Sequence, residues 1–294
     1  MLRWRVLLGT ILIAAMIGLC WLDNYAPMPG LWLLPLAIAA ALMATQETLG
    51  LAAKAGMRPL KWPIYCGNLL LVLANWMPVR WPLGSFNGIV FGLQAVLAAL
   101  AAGVWLIFFC EICRYRKPGG NMANIAGGIF ALIYVGLLLS FAVQLRLSWG
   151  IAGIATWVIV VKMGDTGAYT VGRLIGRHKM APAISPGKTI EGAFGAVLFS
   201  CVGAWAAFRW LAPAVSPELH LPPDKWCGWL VFGVVVGLAG LLGDLAESLL
   251  KRDVGVKDSS RWLPGFGGVL DILDSLLLSA PVAWFCWAVG LVGK

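Results

Sequence analysis

Nine apolar stretches, each separated from the next by a short polar segment, run along the 294-residue chain: 6–22, 31–49, 64–78, 87–112, 123–143, 149–163, 190–212, 227–248 and 268–291. Most approach the ~20 residues a helix needs to cross the hydrocarbon of a bilayer. The third and sixth are short enough to be re-entrant. The pattern predicts an all-α integral membrane protein with about nine transmembrane helices. Arg3 and Arg5 precede the first run as in a secretory signal. That run ends Ile17-Gly18-Leu19-Cys20, without the small residues of a cleavage site, so a retained signal-anchor helix is expected.

Charge gives the orientation. If the N-terminus is cytoplasmic and all nine runs cross, the cytoplasmic segments hold Arg3, Arg5, Lys54, Arg58, Lys61, Arg114, Arg116, Lys117, Lys162, Arg173, Arg177, Lys179, Lys188, Lys251, Arg252, Lys257 and Arg261. The opposite side keeps Arg80, Arg146, Arg209, Lys225 and Lys294. Basic residues concentrate on the cytoplasmic side of membrane proteins, so this asymmetry supports both the orientation and an odd number of spans.

Composition agrees. The chain is 61% hydrophobic and 12% charged, with a mean hydropathy of +0.86, whereas soluble domains carry about a quarter charged residues. Several of the sixteen Trp (Trp4, Trp21, Trp62, Trp76, Trp81, Trp149, Trp210, Trp226) stand at ends of apolar runs, where the headgroup zone favours an amphipathic ring. The net charge of +9 reflects topology first and favours contact with anionic membrane lipids. It is spread over five short loops, so nucleic acid is not an expected partner. Only His178 and His220 are present, which argues against a His-based zinc site. Cys110 and Cys113 form a lone C-x-x-C inside an apolar run and read as packing. Gly233, Gly237, Gly240 and Gly243 recur at helical spacing and predict a close helix–helix contact.

Eight of the thirteen acids fall in two clusters expected at the cytoplasmic face, 162–191 and 244–274. Ionisable residues at a membrane boundary are costly unless paired, hydrated or bound to a ligand. In the first cluster, Asp165 lies where an apolar run meets water, followed by Arg173, Arg177 and Lys179. Ser185-Pro186-Gly187-Lys188-Thr189 then leads into the next helix, with Glu191 in its first turn. Backbone N–H groups and the dipole make such a helix start an anion site. The string resembles the end of a P-loop, but Pro182 replaces that motif's first Gly, so the motif fails.

In the second cluster, Asp244, Glu247, Ser248 and Lys251 fall on one face if the helix continues to Lys251, and Asp271 and Asp274 share a face of the next. Two carboxylate-bearing helix ends make a hard-oxygen site suited to Mg²⁺ with substrate phosphate. Lys251, Arg252 and Lys257 supply counter-charge for phosphate oxygens. Gly267 and Gly268 allow close backbone approach or positive φ before a helix start. Asp253, Ser259, Ser260 and Arg261 read as ordinary loop residues.

The stretch from Ser248 to Asp274 resembles the signature of the phosphatidate cytidylyltransferase (CDP-diacylglycerol synthase) family. Ser248, Lys251, Arg252, Lys257, Asp258, Pro264, Gly267, Gly268, Asp271 and Asp274 match it. So do Asp165-x-Gly-Ala-Tyr169, Gly172-Arg173, Ser185-Pro-x-Lys-Thr and Glu191-Gly192 upstream. The resemblance covers about residues 160–280. Phe266 stands where the family has His and Ile272 where it has Arg. These departures mark a variant with altered contacts or a different lipid acceptor.

The resemblance implies transfer of CMP from CTP to phosphatidate, giving CDP-diacylglycerol and pyrophosphate, at a site facing the cytoplasm of a bacterial inner membrane. It implies Asp244, Asp271, Asp274, Lys251 and Lys188 as catalytic, with Asp244 and Asp271 holding Mg²⁺ and room for a second cation. It implies a substrate-binding set of Asp165, Arg173, Ser185, Thr189, Glu191, Ser248, Arg252, Lys257, Asp258, Gly267 and Gly268. The expected organisation is a transmembrane region over 1–146 and a catalytic region over 147–294 with cytoplasmic loops 162–190 and 249–268. A homodimer is the candidate assembly. The alternatives are a related enzyme for a polyprenyl or ether lipid phosphate, and a membrane transporter. A transporter would place its acids in a midplane cavity of repeated, interrupted helices.

Overall fold

A computed structural model describes residues 2–77, 88–219, 226–260, 262 and 267–293. The chain is mostly helical. In chain order the helices are α1 (Leu2–Asn24), α2 (Leu33–Lys54), α3 (Lys61–Ala74), α4 (Gly88–Arg114), α5 (Asn121–Ala131), α6 (Leu138–Ile175), α7 (Ile190–Ala206), α8 (Ala212–Val215), α9 (Trp226–Asp253) and α10 (Leu270–Ala288). π-helical turns at Leu132–Leu137 and Ala207–Leu211 join α5 to α6 and α7 to α8. Among the described residues, six helical segments are long and apolar enough to cross a membrane. One of these, Asn121–Ile175, is interrupted at Trp149 (φ −127°, ψ 21°) and Gly150 (φ 65°, ψ −156°), so the two apolar runs on either side belong to separate helices. Large side chains such as Ile13, Ile17, Trp105, Phe194, Leu198 and Phe285 stand exposed, as lipid-facing positions of an integral membrane protein would.

One expectation is corrected. Residues 162–175, expected as loop, continue the helix to Ile175. Hydropathy records which side chains tolerate lipid, whereas the backbone ladder persists wherever no breaker intervenes. Beside the helices, Lys179–Ala181 (β1) and Ser185–Thr189 (β2) pair antiparallel in a short hairpin, with Lys179 opposite Thr189 and Ala181 opposite Ser185.

The chain divides into two compact units: Met1–Ser148 with Asp253–Asp271, and Trp149–Arg252 with Ile272–Lys294. The segment 253–271 clusters with the first unit. That unit centres on Leu49, Ile64, Leu71, Val96 and Leu132. A buried ion pair, Arg146 Nε to Asp23 Oδ2 at 2.6 Å, anchors one end of it. Asp23 also accepts from the backbone N–H groups of Gly30, Trp32 and Leu33 at the start of α2.

In the second unit, the rings of Phe208, Trp229, Phe232, Trp287 and Trp149 pack together. Trp149, expected at a headgroup boundary, is 7% exposed, whereas Trp21, Trp62, Trp210 and Trp226 are exposed. The glycine contact foreseen on α9 is present. A Cβ at Gly233 or Gly237 would strike Cys201 or Ser200 of α7, and one at Gly243 would strike the carbonyl of Asp274 on α10. Lipid tails are as apolar as the helices, so close van der Waals packing of this kind carries much of the association.

Candidate active site

In the second unit, α6 ends at Ile175, the hairpin turns the chain, and β2 runs directly into α7. Three local devices hold this arrangement. Thr189 is the N-cap of α7 and accepts from the Gly192 N–H at 3.1 Å, one of the orphan donors that begin any helix. Glu191 closes the base of the hairpin, accepting from the Arg177 and His178 N–H groups and sharing a 2.6 Å contact with His178 Nδ1. Arg252 of α9 donates from Nε to the Ile184 carbonyl at the hairpin turn, at 3.2 Å.

These constraints aim Lys188 at Asp244 on α9, with Nζ 2.9 Å from Oδ2. The two side chains are 16% and 36% exposed, so the pair is more than a screened surface contact. Ser248, one turn on, lies at hydrogen-bond limit from Asp244 Oδ1 (3.5 Å). Asp165 accepts from Lys162 Nζ at 2.9 Å and Ser275 Oγ at 3.1 Å. Asp274 of α10 lies beside the turn of α9 that carries Asp244, its carbonyl packed against Gly243.

A cavity of about 490 Å³ opens here, within the size range of small-ligand pockets. Asp165, Tyr169, Arg173, Ser185, Lys188, Thr189 and Asp244 supply its polar lining, and Val161, Ala196 and Leu241 an apolar part. Arg173 donates from Nη1 to the Tyr169 hydroxyl at 2.6 Å, with its guanidinium 5.8 Å from the ring centroid. A helix start, an ammonium, a guanidinium and a carboxylate around one cavity suit a phosphate-bearing ligand.

The cavity thus gathers Asp165, Arg173, Ser185, Lys188, Thr189 and Asp244 from the expected set. Other members serve elsewhere in the fold. Glu191 and Arg252 brace the hairpin. Lys251 is buried against Glu247 as an ion pair one helical turn back along α9. Lys257 and Asp258 are exposed in the segment after α9.

Asp271 belongs to the first unit. Its Oδ2 accepts from the Ser259 N–H (3.0 Å), the Ser259 hydroxyl (2.6 Å) and the Gly268 N–H (2.7 Å). Gly267 has φ 89°, and Gly268 is packed too closely for a Cβ. The Ile272 carbonyl accepts from Lys162 Nζ at 3.4 Å, so an ammonium stands by this turn of α10. Phe266 and Pro264 lie outside the described residues.

Three residues of this unit have partners that the sequence does not announce: Lys162 with Asp165, Tyr169 with Arg173, and Glu247 with Lys251. In the first unit, Glu47, 4% exposed in α2, carries a readable signal, being a carboxylate inside an apolar run.

Among the described residues, no three His, Cys, Asp or Glu side chains form a ready-made metal cage. Magnesium is commonly held by one or two carboxylates completed by water and substrate phosphate. The hard oxygens of Asp244, which line the cavity with those of Asp165, fit that mode of binding.

Helices fit to span a bilayer and a polar cavity at a helix start define an integral membrane protein with a charged cavity. The chain belongs to the cytidylyltransferase family, whose model matches residues 3–289. It is similar to a phosphatidate cytidylyltransferase of Mycobacterium bovis, 31% identical over 288 residues that cover 95% of this chain and 88% of the relative. Proteins of the same name from Staphylococcus epidermidis and Bacillus subtilis are 42% and 37% identical. Each match covers 67% of this chain, and 78% and 70% of the respective relative.

Proposed function

We propose that this protein transfers CMP from CTP to phosphatidate, yielding CDP-diacylglycerol and pyrophosphate. The observation that carries the reading is the cavity at the start of α7, where Lys188, Arg173, Ser185 and Asp244 converge. A non-bridging phosphate oxygen of phosphatidate forms a bond to the α-phosphorus of CTP. The bond from that phosphorus to the α,β-bridging oxygen breaks, and its electrons leave with pyrophosphate. A phosphomonoester has a second pKa of ~6, so the nucleophile is largely ionised at neutral pH and needs no strong base.

Rate then depends on position and charge. Lys188 and Arg173 attract phosphate oxygens, the α7 start offers N–H groups, and Asp244 fixes Lys188. Mg²⁺, when bound, would neutralise triphosphate charge, and a second cation is compatible with Asp165. Asp244, supported by Asp274, would supply ligand oxygens in the second unit. Asp271 is the other ligand the resemblance implies, and its Oδ2 would exchange hydrogen bonds to serve.

Purified protein in detergent with CTP and Mg²⁺ is expected to release pyrophosphate only when phosphatidate is added. Release with a polyprenyl or ether lipid phosphate instead would replace the acceptor. Silence with every acceptor would end the transferase reading.

We also propose nine crossings with a cytoplasmic N-terminus, on the strength of the basic-residue asymmetry, in a bacterial inner membrane. In a background without native cysteines, Glu218→Cys should react with an impermeant maleimide from outside intact cells. Arg177→Cys should react only after permeabilisation. The opposite result would invert the topology.

A further inference from the structure

Glu47 makes four contacts that no expectation from the sequence included. In α2 its Oε1 accepts from the Ser260 hydroxyl at 2.8 Å and the Val269 N–H at 3.0 Å. Its Oε2 accepts from the Ser259 hydroxyl at 2.9 Å and the Leu270 N–H at 2.7 Å. Every donor belongs to the 253–271 segment of the same unit. The backbone donors open α10, where N–H groups lack intrahelical partners and the dipole favours an anion. Among the described residues, no lysine or arginine pairs with Glu47.

Ser259 connects this carboxylate to Asp271: its single hydroxyl lies between Glu47 Oε2 and Asp271 Oδ2, and its N–H also donates to Asp271. The opposite side of the arrangement is closed by Gly268, whose Cα leaves no room for another carbon beside Glu47 and Ser259.

We infer that Glu47 is a positioning residue for the transfer reaction, setting Asp271 through Ser259 and the first N–H groups of α10. The inference rests on the proposed transfer for its kinetic consequence and on geometry alone for its structural one. Glu47→Gln preserves size but places an NH₂ on one side of the carboxamide. Both sides face a backbone N–H, so either orientation sets donor against donor. Glu47→Asp keeps two acceptor oxygens on a shorter stem.

The test combines amide hydrogen exchange of the full chain in detergent with steady-state kinetics. In Glu47→Gln, amides of 259–271 should exchange at least about tenfold faster while those of α7 and α9 stay as in the wild type. The kcat should fall about 10²-fold, as for a misplaced group, with the KM for CTP within about threefold. Glu47→Asp should recover about tenfold of that loss, in line with a positioning contact partly restored. Unchanged exchange over 259–271 would overturn the inference. So would faster exchange throughout the chain with no recovery in Glu47→Asp, because Glu47 would then support only the fold. Exchange is read without substrate, so a wild type inactive on every acceptor would sink the transferase reading and leave the exchange result to decide the role of Glu47.

Discussion

Asp244→Asn is expected to lower CDP-diacylglycerol formation by about 10²–10³-fold, the scale of losing one pre-set electrostatic group. Two effects combine. The variant removes a hard oxygen charge from the cavity, and it removes the counter-charge of Lys188, whose buried Nζ has no hydrogen-bond partner besides this ion pair among the described residues. Leaving a buried ammonium with only a neutral carboxamide beside it costs about 2–3 kcal/mol, the upper part of the range for a poorly satisfied buried group. The figure stays below the ~3–5 kcal/mol of a fully enclosed pair, because Asp244 keeps 36% side-chain exposure. The two effects separate in a double variant. Asp244→Asn with Lys188→Met should regain the detergent melting temperature of the wild type and stay inactive. Wild-type turnover in Asp244→Asn would remove Asp244 from the reaction, and regained activity in the double variant would make its role structural.

Gly268→Ala should be nearly as damaging, for a different reason. The added carbon would overlap the Ser259 hydroxyl and both Glu47 oxygens, in a place where the neighbours are already bonded to one another. Overpacking of this kind costs about 1–3 kcal/mol. Displacement of the α10 start by about an ångström would cost turnover about 10²-fold. Gly255 is the control. It has φ 71° and open space around its Cα, so Gly255→Ala meets backbone strain without collision. Melting and turnover should therefore separate the two variants, with Gly268→Ala the less active. Equal activity in both would refute the packing account.

Much of the helical framework was legible because hydropathy is local. Each apolar run could be judged from its own residues, and each contains or borders a helix. The exceptions are instructive. Helix α6 continues past Lys162 and Asp165 because charged side chains at a membrane boundary do not interrupt backbone hydrogen bonds. The hairpin was not foreseen because Ser185-Pro186-Gly187 has little strand propensity of its own. Glu191 and Arg252 hold it through bonds to the Arg177, His178 and Ile184 backbone. Of the candidate site, Asp165, Lys188, Thr189 and Asp244 stand out in the sequence by residue type and position, and the fold places them around one cavity. Lys251 was nominated for phosphate, and its ion pair with Glu247 follows from the burial of that face of α9, which spacing alone does not reveal.

By itself the sequence determined that the chain belongs in a membrane, which family it resembles, and where along it the charge is concentrated. These properties follow from residue type and short spacing, and they add up segment by segment. Tertiary structure alone decided the pairings: Lys188 with Asp244, the hairpin with Arg252, and Glu47 with N–H groups 222 and 223 residues away. The physical reason is that a buried polar group takes its partner from whatever packing brings within about 3 Å. At such sequence separations no local pattern encodes which residue that will be.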